Sequence, residues 1–204
     1  MTNTRLASIA ILLALVNGCS APSDTGHPEG KTSDMDMRRA AEEADVIMQR
    51  TLSGVKPELR WNHGPSNDKI CTDVKNDSSG TGSVKRRIAI MTIVSKERRG
   101  NLLGVVERDW TARGYRITSV RASGEVPAIF AATPDDFRMR VAVGGGGQFF
   151  FSITTPCFAE SAVPDPATEP NTPQRAGDYP QPPDVHDDFW SSKAPLSTSS
   201  SSAS

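Results

Sequence analysis

Few side chains in these 204 residues have chemistry to offer, and few of those stand at a useful spacing. There are three cysteines, Cys19, Cys71 and Cys157, and three histidines, His27, His63 and His186. Cysteine thiolates and imidazoles hold zinc when partners recur a few residues apart, as in C-x-x-C or H-x-x-x-H. Neither spacing occurs. His63, in "WNHGPSND", is the one histidine inside the apolar-patterned part of the chain, and it reads as a loop residue. A hydrolase nucleophile elbow needs G-x-S-x-G, which is missing, and the serines of Asn76 to Ser83 read as a solvated connection. Asp135 and Asp136 are too close to work as an acid and base pair, because neighbours on a strand point to opposite faces. "TPDD" is ordinary turn sequence. Gly144 to Gly147 would cradle a phosphate only if a helix followed. The strand-like "QFFFSITT" follows instead, so the glycines form a hairpin turn. These readings predict no catalytic residue, no metal site and no cofactor, and hence a protein that is not an enzyme.

The cations are more suggestive. Lys85, Arg86 and Arg87 enter an apolar run, and Lys96, Arg98 and Arg99 leave it just before a second helix. An eight-residue strand would hold the two clusters roughly 25 Å apart, at opposite sheet ends. Cations near a helix start oppose the helix dipole unless an anion joins them. Lys96, Arg98 and Arg99 are therefore the candidate contact for an anionic lipid headgroup or wall polymer. A formal net charge of -1 leaves no nucleic-acid footprint.

Cys19 has a different setting. Arg5 is the only charge ahead of an apolar stretch from Leu6 to Val16, and turn-forming residues follow from Pro22. That length suits a secretory signal core and falls short of the roughly 20 residues that span a bilayer. Val16-Asn17-Gly18-Cys19 resembles the lipobox of bacterial lipoproteins. The resemblance implies cleavage between Gly18 and Cys19 and a diacylglyceryl group on the Cys19 thiol. It also implies a place on the extracytoplasmic face of the cell membrane, with the membrane itself as a partner. A plain secreted protein without lipid is the alternative, since small residues also flank an ordinary cleavage site. Export leaves Cys71 and Cys157 to pair as a structural disulfide.

The elements that must position these residues follow from composition and period. Residues 1–18 form the signal, 19–32 a flexible tether, 33–160 one domain and 161–204 a tail. The tail, rich in Pro, Ser and Thr, carries too little apolar surface to offset its chain entropy and is expected to be disordered. "DDFWSS", Asp187 to Ser192, is its one apolar island.

In the domain, a helix is predicted from Ser33 or Asp34 to Gly54, burying Met37, Ala40, Ala41, Ala44, Ile47, Met48 and Thr51. Gly54 would end it in the left-handed conformation. A second helix is predicted over Asn101–Arg113, with Gly114 as its stop. Short strands fall near Leu59–Trp61, Arg87–Val94 and Tyr115–Val120. Val126–Ala132 and Asp136–Val143 pair across Thr133-Pro134-Asp135, and Gly147–Thr155 is the last strand. In it Phe149 and Phe151 share a face and Phe150 points oppositely; all three are read as core, with Phe150 an apolar contact surface as the alternative if its face is open. The order predicts an α+β fold, a mainly antiparallel sheet of about five strands with two helices on one face.

"DWTARGYRI" (Asp109–Ile117), "ATPDDF" (Ala132–Phe137) and "TTPC" (Thr154–Cys157) are also similar to a pattern in small exported lipoproteins of actinobacteria. That resemblance supports the fold and the location and brings no catalytic residue with it. The chain is thus expected to be a membrane-anchored binding or interaction module, with an envelope enzyme of unrecognised site as the alternative.

Overall fold

A computed structural model describes residues 35–122, 126–173, 175 and 179–196. Gly18, Cys19 and the tether lie outside the described residues.

Among the described residues, two helices, α1 (Met37–Ser53) and α2 (Lys96–Ala112), accompany eight strands. These are β1 (Trp61–His63), β2 (Asn67–Thr72), β3 (Ser78–Ile90), β4 (Arg116–Arg121), β5 (Ala128–Ala132), β6 (Arg138–Val143), β7 (Phe149–Thr154) and β8 (Phe158–Ala159). The class is α+β and the strand pairings are antiparallel. The strand number corrects the expected five. Along the sheet the order is β1-β3-β7-β6-β5-β4, and β2 and β8 pair with the first half of β3.

That first half is the source of the miscount. Ser78 to Ser83 pairs with β2 from Ser78↔Thr72 to Ser83↔Lys69, so it is a strand and not a solvated connection. Both partners are mostly exposed and polar, so backbone hydrogen bonds hold them with little help from apolar alternation. The turn between them is built by Asp73, whose carboxylate accepts from the Lys75 and Asp77 amides. Cys71 and Cys157 are disulfide-bonded across 86 positions of sequence, with Cα atoms 6.3 Å apart. The bond ties this hairpin to the segment joining β7 and β8.

α1 buries the predicted face, Met37, Ala40, Ala41, Ala44, Ile47, Met48 and Thr51, together with Leu52. Its N-cap is Asp36, whose side chain accepts from the Arg39 amide at 2.9 Å, two or three residues after the expected start. Gly54 is not left-handed; its φ is -73°. A β-carbon there would stand 2.5 Å from Oδ1 of Asp109 on α2, so glycine serves a close approach of the two helices. Trp110 of α2 donates to the Thr51 hydroxyl at 3.0 Å across the same junction. α2 begins at Lys96, more than a turn before Asn101, and Gly114, at φ 78°, follows its end.

Both helices pack on one sheet face. Alternate residues of β3, β5, β6 and β7 (Ile88 and Ile90, Ile129 and Ala131, Met139, Val141 and Val143, Phe149, Phe151 and Ile153) join Ile47, Leu102, Val106 and Trp110 in one core. Alternation at period two sends the intervening residues to the opposite face.

The segment beyond residue 160 corrects the domain boundary. Trp190 is fully buried and belongs to the core, and its indole donates to the Pro57 carbonyl at 2.8 Å. The Ile93 amide donates to the Val185 carbonyl, and the Val185 amide donates to the Met91 carbonyl. Asn171 accepts from the Trp61 amide, and Thr172 donates to the Trp61 carbonyl. From Ser161 to Leu196 the described chain is therefore a strap folded against the domain. The island read at Asp187–Ser192 is its anchor, and the polar remainder is held by backbone and amide hydrogen bonds that composition does not register.

Candidate functional site: the outer face of the sheet

Register determines what the face opposite the helices presents. Cross-strand pairing aligns Lys85, Thr154, Arg138, Ala132 and Arg116 in one row over β3, β7, β6, β5 and β4. The next row is Arg87, Ser152, Arg140, Phe130 and Ser119. The third is Ala89, Phe150, Ala142, Ala128 and Arg121. Six cations thus share one face: Lys85 and Arg87 on β3, Arg138 and Arg140 on β6, Arg116 and Arg121 on β4.

They occupy alternate strands, so none stands directly opposite another. Two strand spacings separate the ranks by about 10 Å, close to the Debye length at physiological ionic strength. That spacing limits the repulsion that like charges directly across a ladder would cause. Burial of Lys85, with the Arg87 and Arg140 charges beside it, holds its ammonium below the usual lysine range. Among the described residues, Asp136 pairs with Arg138 at 3.3 Å, and the other five cations have no carboxylate partner. Phe130 lies between β4 and β6 with the Arg121 and Arg140 guanidiniums 5.3 and 5.8 Å from its ring centre. Small residues between the ranks leave a hollow of about 340 Å³ lined by Arg116, Phe130, Ala132 and Arg138.

At the β1 edge the strap completes a second hollow, of about 410 Å³, lined by Asn62, His63, Glu169, Arg175, Tyr179 and Gln181 among others. His63 lies in β1 and not in a loop. Its Nε2 is 2.7 Å from the Thr168 carbonyl, so that nitrogen carries a proton and donates. Arg175 is held by Asp184 through two bonds of 2.8 and 2.6 Å. That pair keeps the Asp184 carboxyl below its ordinary range. Tyr179 sits edge-on to Phe150, 6.1 Å between ring centres, and burial pushes its hydroxyl pKa up.

The cations read from sequence do not act together. Lys96 is exposed, whereas Arg98 is 6% exposed and lies 4.8 Å from the Phe189 ring of the strap. Arg99 packs against Gly147. Arg98 is thus an internal cation, and the expected surface cluster of Lys96, Arg98 and Arg99 is not formed. The first cluster is likewise divided. Lys85 and Arg87 face outward, and Arg86 faces inward, where it pairs with Asp45 of α1 at 3.1 Å and donates to the Pro164 carbonyl.

Gly144 to Gly147 is a hairpin turn, closed by Gly144 N to Gln148 O and Gly147 N to Gly144 O. Phe149 and Phe151 are core, but Phe150 is not: alternation sends it to the outer face, where it is half-buried against Tyr179. Asp135 and Asp136 lie in the β5–β6 connection, with Asp136 at φ 59°. No group of three or more metal-ligating side chains occurs among the described residues. None of the described helices is long and apolar enough to cross a membrane.

The basic face could have been found from sequence only by combining strands. Arg138 and Arg140 alternate visibly with Met139 and Val141, but their alignment with Lys85, Arg87, Arg116 and Arg121 depends on register.

Neither a protein-family model nor a curated protein matches this chain. Among solved structures it is similar to a DUF4853 family protein from Actinomyces odontolyticus. That match has 12% identity, 71% of this chain, 78% of the other and a TM-score of 0.42. It is also similar to LppA from Mycobacterium tuberculosis, a candidate lipoprotein, with 12% identity, 59% of this chain, 73% of the other and a TM-score of 0.33.

Proposed function

We propose that this chain is an extracytoplasmic lipoprotein, anchored through acyl chains on Cys19, whose domain is a non-enzymatic binding module. Two acyl chains on one cysteine supply the double hydrophobic signal that stable anchoring needs. The observation that carries the binding role is the outer sheet face, where five of six aligned cations lack a carboxylate partner among the described residues. A fold gains little by leaving such a surface uncompensated, and a ligand of opposite charge gains much from it.

Intact mass of the protein released from membranes tests the anchor. The expected mature chain begins at Cys19 and carries the lipid; one beginning after Cys19 is the plain secreted alternative. Photo-crosslinkers placed at Thr118 on the outer side and at Val46 on α1 test the surface in intact cells. Capture from Thr118 and not from Val46 is the expected result, and the reverse would overturn the assignment.

A second reading, an envelope enzyme, has one observation in its favour, the hollow that brings His63 near Glu169. His63→Ala separates the two. Unchanged ligand capture supports the binding module, whereas loss of a substrate turnover by the purified protein supports the enzyme.

A further inference from the structure

We infer that the outer sheet face binds an extended, phosphate-bearing polymer of the cell envelope, laid across β3, β6 and β4 so that Lys85, Arg87, Arg138, Arg140, Arg116 and Arg121 meet successive negative charges. This deepens the binding-module reading and rests on it. The three ranks of cations span four strand spacings, about 19 Å, which is far longer than one phosphate and suits a chain. On β3 and β6 the two cations are two residues apart, about 7 Å, and on β4 Arg116 and Arg121 lie in the first and third rows, about twice that distance, so positive charge extends along the strands as well as across them.

Shape favours a chain over a bilayer. Ala132, Ala142, Ala128, Ser152 and Thr154 floor the space between the cations, and the hollow beside Arg116 and Arg138 is concave. A flat lipid surface would meet the rims of such a trough and leave its floor empty. The aromatic groups argue against a nucleic acid. Single-strand readers offer open rings on which bases stack, whereas the Phe130 ring already receives two guanidiniums and Phe150 is engaged by Tyr179. What remains available is charge and hydrogen-bond donors. Arginine supplies donors that match phosphate oxygens in pairs.

The test uses the full chain carrying Cys19→Ala, which cannot be acylated, with long-chain inorganic polyphosphate as probe. Binding is expected to weaken steeply with salt. Arg87→Gln, Arg140→Gln and Arg121→Gln together should lower affinity about tenfold or more. They should also reduce the slope of log affinity against log salt by about 2, from roughly 0.7–0.9 per neutralised contact. Lys96→Gln, away from this face, should change neither quantity, and unaltered thermal unfolding of all variants shows that the fold is kept.

Equal binding by the triple variant would overturn the inference. So would binding confined to phosphatidylglycerol vesicles, or an oligodeoxythymidine of matched charge bound tenfold more tightly than polyphosphate. If polyphosphate is not bound, yet Thr118 crosslinking still captures a partner in cells, the polymer is wrong and the binding module stands. If both fail, the module reading falls as well.

Discussion

Arg86 shows how far one residue's role depends on its surroundings. It sits between two outward-facing cations in sequence, yet its side chain is buried and meets Asp45, the Ser66 hydroxyl and the Pro164 carbonyl. Burial dominates the Asp45 carboxyl and raises its pKa, and Arg86 offsets part of that rise. A raised carboxyl pKa contributes stability that is full below the ordinary 3.8 and is lost as pH climbs through the raised value. Arg86→Met removes the offset and leaves the strap carbonyl without its donor. It should cost about 1–3 kcal/mol at pH 7. The loss should shrink toward pH 4, where Asp45 is increasingly protonated; urea midpoints at the two pH values measure the difference. In sequence, Lys85-Arg86-Arg87 is simply a basic triplet. Only a strand's alternation splits it, and only the presence of α1 on one side makes Arg86 internal.

At the scale of elements, apolar period located what it could and missed what backbone pairing alone holds. α1, the alternation of β6 and the β6–β7 turn at Gly144–Gly147 were legible, since each has an apolar stripe or a glycine cluster behind it. β2, the first half of β3 and β8 were not, because their residues are polar or exposed and their ladder bonds leave no compositional trace. The strap is the largest such case. Its composition is that of an unfolded tail, yet one tryptophan fills the core and Asp187 accepts from the Phe189 and Trp190 amides to set the turn that presents it. Trp190→Ala should therefore destabilise the whole domain by about 3–5 kcal/mol, read as a lower midpoint in chemical denaturation. A chain whose tail were free of the domain would show no change.

For the molecule as a whole, the disulfide and the sheet decide how the parts act together. Cys71–Cys157 closes a loop of 86 positions, for which the chain-entropy relation gives about 4–5 kcal/mol as an upper figure. Cys71→Ser with Cys157→Ser should lower thermal stability by up to that amount. The parent protein treated with reductant should fall to the same level. The sequence by itself determined the class of fold, the pairing of two cysteines once Cys19 is set aside as the lipidation candidate, and the inward set of core residues. These follow from short-range period and from residue counts. Tertiary structure alone decided the strand number, the fate of the strap and the site. Six cations from three separate strands become one surface only when hydrogen-bond register aligns them. Lys96, Arg98 and Arg99, close in sequence, are dispersed because the helix turns Lys96 to solvent, Arg98 to the Phe189 ring and Arg99 to Gly147. Charge recognition acts over ångströms in space, and the distance along the chain between β3 and β4 says nothing of the sheet that joins them.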